Sequence, residues 1–113
     1  MLAVAVVIAV VAVVIIGTSS SSSTKSAGPT TIEVKDAKPV GGIKTLTYEK
    51  GHTIDITVKS DTADEVHFHG YDVHKDVTAG GSVQFKLPAT IEGEFIMELE
   101  EHKQTLVNVK VEP

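Results

Sequence analysis

The chain carries five histidines, His52, His67, His69, His74 and His102, and no cysteine. Two of them stand one residue apart in the stretch Asp64-Glu65-Val66-His67-Phe68-His69-Gly70-Tyr71-Asp72. In an extended chain, residues i and i+2 share a face. His67 and His69 therefore project together, with Val66 and Phe68 turned to the other side. Their Cα atoms then lie about 7 Å apart, so both rings can serve one ion if a third ligand arrives from a neighbouring strand or loop. Imidazole nitrogen suits copper, zinc, iron and nickel. The competing reading of a His-x-His pair is two solvated side chains on an exposed strand face. Asp64, Glu65 and Asp72 are oxygen ligands on the first reading and solubilising charge on the second. Gly70 lets the chain turn sharply after the pair. The absence of Cys removes disulfides, thiolate metal sites and cysteine nucleophiles.

Short strands must position these groups. Thr31–Lys35 alternates around Ile32 and Val34, and Ile43–Glu49 is β-rich after the Pro39-Val40-Gly41-Gly42 turn. Thr53–Lys59 alternates strictly, with Ile54, Ile56 and Val58 on one side. Glu65–His69, Ser82–Leu87, Glu94–Glu100 and Thr105–Glu112 follow, separated by polar or glycine-bearing breaks. Their inward sets are Val83, Phe85 and Leu87, then Phe95, Met97 and Leu99, then Val107, Val109 and Val111. Met97 reads as core by this alternation. Seven strands at this spacing, with no helical pattern after Ile16, predict an all-β, antiparallel Greek-key β-sandwich. His52 reads as a solvated residue at a strand edge. His74 falls on the next strand or turn after the pair, and Tyr71 reads as a packed ring with a hydrogen-bonded hydroxyl.

Upstream the composition is different. Met1 to Ile16 contains only Met, Leu, Ala, Val and Ile. As a helix it would span about 24 Å, somewhat short of a hydrocarbon core of about 30 Å. Residues 1–17 are thus expected to be a membrane anchor, with a cleaved signal segment or a buried element as the alternatives. Residues 18–30 are Ser-rich and end in Gly and Pro, the composition of a flexible linker. Residues 31–113 form the folded domain. It is expected outside the cytoplasm, periplasmic or extracellular, and tethered to the membrane. The net charge is −5, without a basic stripe, which argues against nucleic-acid binding.

The run Val66-His67-Phe68-His69-Gly70 resembles the His-x-His-Gly element of multicopper oxidases and related cupredoxin-fold proteins. The longer stretch Ser60–Asp72 is similar to small cupredoxin-like domains of bacterial and archaeal envelope proteins. The ending agrees, because Gly93–Leu99, a loop, and Leu106–Val111 resemble the last two cupredoxin strands, between which that family carries its remaining copper ligands. The resemblance implies a cupredoxin-like sandwich over residues 31–113 and a metal site formed by His67, His69 and His102. The position of the copper thiolate falls at Leu99 or its neighbours, and no Cys is present. A blue-copper site is thereby removed, since that site needs a Cys sulfur on the metal.

Two function classes remain. One is an extracytoplasmic module that binds copper, or zinc, through histidines alone. The other is a metal-free β-sandwich used as an interaction or structural module of the cell envelope, with an unidentified protein partner. An enzyme is the least expected class, because no Ser–His–Asp order, phosphate loop or nucleotide motif stands out.

Overall fold

A computed structural model describes residues 26–113. The proposed membrane segment at 1–17 and most of the 18–30 linker lie outside the described residues. Among the described residues nine strands form in chain order: β1 Thr30–Lys35, β2 Lys38–Pro39, β3 Lys44–Glu49, β4 Thr53–Ser60, β5 Asp64–Phe68, β6 Val73–Val77, β7 Gly81–Pro88, β8 Gly93–Leu99 and β9 Gln104–Glu112. They make two sheets, ordered β2-β1-β4-β7 and β3-β9-β8-β5-β6.

The strands form where apolar residues alternate, because each sheet buries one face against the other. Ile54, Ile56 and Val58 from β4 are fully buried, as are Val66 and Phe68 from β5 and Met97 and Leu99 from β8. Phe85 and Val109 complete the middle of this layer. The inward faces expected from alternation are those observed, including Met97 as core.

The strand directions correct one expectation. The sheets are mixed, not antiparallel: β1 pairs with β4 in parallel, and β3 pairs with β9 in parallel. Parallel neighbours need a crossover, and the sandwich provides it, since β3, in the other sheet, lies between β1 and β4 in sequence. Alternation reports which face is buried and carries no sign of direction.

One short strand, β2, is absent from the sequence expectation, and the residues around His74, expected as strand or turn, form strand β6. β2 is a two-residue return after Asp36 and Ala37, both in the left-handed region at φ 53° and 60°. β6 is treated with the site below. Ser26 and Ala27, within the expected linker, already contact the domain. The Glu49 amide donates to the Ser26 hydroxyl (2.8 Å), and the Ala27 amide to the Thr47 carbonyl (2.9 Å).

Candidate metal centre

Strand β5 lies between β6 and β8, so its outward residues have neighbours on both sides. His67 stands opposite His74 on β6 and opposite Glu98 on β8. Glu65 stands opposite Asp76, and its carbonyl accepts from the Glu100 amide at 2.9 Å. At the other end the His69 amide donates to the Ile96 carbonyl at 2.9 Å. Val66, Phe68, Met97 and Leu99 take the inner face, which turns Glu65, His67, His69, Glu98 and Glu100 outward. The outer face is therefore a patch of three histidines and five carboxylates, and among the described residues no Lys forms an ion pair with them.

The β5–β6 turn supplies one of those carboxylates. Gly70 has φ +87°, and a Cβ there would come within 2.1 Å of Phe95 Cδ1. Glycine is required on both counts. Tyr71 folds its ring onto Phe68 (centroids 4.9 Å apart) and edge-on to Phe95 (5.2 Å). Its hydroxyl donates to the Ile91 carbonyl at 2.8 Å and accepts from the Ile91 amide at 3.0 Å. Tyr71 is thus the packed, hydrogen-bonded residue expected. Asp72, at φ 56°, closes the turn beside the histidines.

Contacts on the face run along the diagonals of the ladder, as cross-strand neighbours on twisted strands do. His67 Nδ1 lies 2.5 Å from Glu100 Oε2, and His69 Nε2 lies 2.8 Å from Glu98 Oε1 and 3.7 Å from Glu100 Oε2. His67 Nε2 lies 3.5 Å from Asp72 Oδ1. His74 Nε2 lies 3.2 Å from the same oxygen, and His74 Nδ1 lies 3.6 Å from Glu65 Oε2. The His67 ring sits between the other two, its centroid 3.9 Å from that of His69 and 3.8 Å from that of His74. The His74 and His67 rings hold the Asp72 carboxyl below the usual carboxylate range.

Two sets of three potential ligand atoms converge here, each set lying within 4.8 Å: His67, His69 and Glu100, and His67, Asp72 and His74. Nitrogen and carboxylate oxygen donors together suit Cu(II) and Zn(II), so the residues present fit such an ion. They do not fit a blue-copper centre, because the chain has no thiolate.

The structure brings His67 and His69 together and does not bring His102 to them. Among the described residues, neither converging set includes His102. Its Nδ1 lies 2.6 Å from Asp64 Oδ2 instead. The side chain of Asp64 is completely buried. Its carboxylate also accepts from the backbone amides of Glu65 (2.6 Å), Glu101 (2.9 Å) and His102 (3.2 Å). Burial pushes the Asp64 carboxyl up, but the His102 ring and these amides outweigh it and hold the group below its ordinary value. His52 lies in the turn before β4, half exposed, with Nε2 3.3 Å from Glu49.

The ligand set expected from the sequence omits Glu98, Glu100 and His74. The alternation of Met97 and Leu99 already turns Glu98 outward. Only the pairing of β8 with β5 places it beside the histidines.

No protein-family model and no curated protein matches this chain. Solved structures do match. One is the metal-binding domain of the Streptococcus pneumoniae Cu(I)-exporting P-type ATPase, solved with Cu(I): 13% identity, 79% of this chain and 94% of that one, TM-score 0.58. A second is the reduced Cu(I) form of an amicyanin mutant: 17% identity, 76% and 84% coverage, TM-score 0.51. A third is a heme-copper terminal oxidase, at 18% identity and TM-score 0.55. That match covers 72% of this chain and 60% of the oxidase chain. The fold is cupredoxin-like. At these identities the likeness carries the fold alone, and this cupredoxin-like sandwich lacks the cysteine that a blue-copper site needs.

Proposed function

We propose that this chain is an extracytoplasmic cupredoxin-like module, held at the membrane by its N-terminal apolar segment, that binds Cu(II), or Zn(II), without a thiolate. The carrying observation is the convergence of His67, His69 and Glu100 within 4.8 Å on an open sheet face. His67 and His69 are fixed by strand geometry, and Glu100 takes the place beside them that His102 was expected to fill. The surrounding carboxylates attract a cation and supply further oxygen. Copper-bound structures among the neighbours support the choice of copper. The bound ion would be held in nitrogen and oxygen ligation, and the module binds metal without turning over a substrate.

Calorimetric titration of the full chain at neutral pH tests the reading. Tight Cu(II) binding is expected, with a pale complex and an EPR spectrum of the ordinary nitrogen/oxygen type. His67→Ala with His69→Ala should abolish it, and binding should fade in acid, where protons compete with the ion for its ligands. No tight Cu(II) or Zn(II) binding would leave the metal-free envelope interaction module as the function. Fractionation of cells expressing the full chain tests location, and wholly cytosolic protein would overturn the tethered placement.

A further inference from the structure

Building on the metal-binding reading, we propose that this face holds two ions, with the His67 imidazole bridging them as an imidazolate. One imidazole has two nitrogens that diverge across the ring, so a single ion cannot use both. In His67 each nitrogen faces a different carboxylate: Nδ1 lies 2.5 Å from Glu100, and Nε2 lies 3.5 Å from Asp72. Each of these carboxylates belongs to a separate converging set, one completed by His69 and the other by His74. His67 is the member common to both.

Burial follows the same division. The His67 side chain is 15% exposed, while His69 and His74, on either side of its ring, are 39% and 42% exposed. The central ring is shielded and the two flanks are open. A further carboxylate backs each flank, Glu98 beside His69 and Glu65 beside His74. Charge favours a second ion. One dication against Glu65, Asp72, Glu98 and Glu100 leaves two net negative charges. Two dications against the same carboxylates and one imidazolate leave a single one. Asp76 lies directly opposite Glu65, a like-charge pair that a nearby cation relieves.

The chemistry of the bridge is one proton. The second ring nitrogen of His67 exchanges its N–H bond for a bond to the second ion, and the proton leaves to solvent. No redox change is involved. The two positions are unequal, because Glu98 and Glu100 are 23% and 35% exposed whereas Asp72 is 84% exposed. The His69 side should fill first.

The test is titration of the full chain with Cu(II), read by native mass spectrometry and by EPR spin counting. Two ions per chain are expected, the second weaker. The EPR signal of the loaded protein should integrate to well under two spins, because spins on two Cu(II) ions couple through a shared imidazolate. His74→Ala should reduce the count to one ion with a full one-spin signal, and so should His69→Ala. Both side chains are more than a third open to solvent and neither belongs to the core, so these variants keep the fold. One ion per wild-type chain, or two ions with two uncoupled spins, would overturn the bridge and leave the single-ion reading standing. No bound ion at all would remove that reading as well.

Discussion

His67 and His102 both sit beside carboxylates, yet they occupy opposite physical settings. His102 reaches a carboxylate that is out of water and already accepts three backbone amides, at the start of β5 and in the loop after β8. That arrangement is saturated. Asp64 has no lone pair to spare for an ion, and its contacts fix the path of residues 101–102. His67 lies on the outer sheet face, where its two ring nitrogens each meet a different carboxylate and two sets of ligand atoms converge within 4.8 Å. Carboxylate–histidine contacts thus serve structure where the acid is buried and satisfied. They become candidate chemistry where the acids are partly open to solvent and in excess.

The comparison breaks most visibly at Asp64. Replacing Asp64 with Ala strands the Glu101 and His102 amides and the His102 ring, a loss of about 3 kcal/mol by the cost of unsatisfied buried donors. Urea unfolding of Asp64→Ala measures it, and a loss under about 1 kcal/mol would show that water replaces the carboxylate. The same group gives a pH signature. Its folded pKa lies below the unfolded value, so its stabilisation is complete above the ordinary carboxylate range and is lost as pH falls through the folded value. Wild type should therefore lose stability in acid more steeply than Asp64→Ala. Parallel curves would remove Asp64 as the linked group.

Gly70 belongs to the open setting, since the turn it permits carries Asp72 to the histidine face while Phe95 packs against it. Gly70→Ala forces a left-handed backbone on a residue with a Cβ and drives that carbon into the Phe95 ring. A loss of about 2 kcal/mol is expected from such strain and overpacking. It should come with weaker metal binding on the Asp72–His74 side. Thermal unfolding together with the titration above checks both, and a variant as stable as wild type would show that Phe95 moves aside freely.

Much of this frame was readable without coordinates, because half-buried strands write their buried face into every second residue. Ile54-Asp55-Ile56-Thr57-Val58 could be assigned a face on that basis alone. The strand Val73–Val77 could not, since its three central residues are charged or histidine and face solvent at the sheet edge. The partner of His102 was equally hidden: Asp64 is 38 residues away in sequence, and no local pattern predicts that pairing. Glu100 escaped for the same reason, because its neighbour His67 is set by non-local strand pairing. What the chain spells locally is burial. What the site needs is which strands adjoin.

The smallest expected effect is the one that most sharpens the contrast. His69 and His74 are each more than a third exposed, and their contacts with Glu98, Asp72 and Glu65 are surface pairs that solvent screens. Such pairs contribute between nothing and about 1 kcal/mol each. Truncating both rings also removes two imidazoles that crowd His67 within 4 Å centroid to centroid. The double variant His69→Ala with His74→Ala should therefore unfold in urea within about 0.5 kcal/mol of wild type, while losing most of its affinity for Cu(II). His102→Ala should do the reverse, costing about 1 kcal/mol through the lost hydrogen bond to a charged acceptor and leaving Cu(II) affinity in place. If the double variant instead lost more than about 1.5 kcal/mol, the outer-face histidines would be holding β6 onto β5 as structural groups. The distinction drawn between the two settings would then fail.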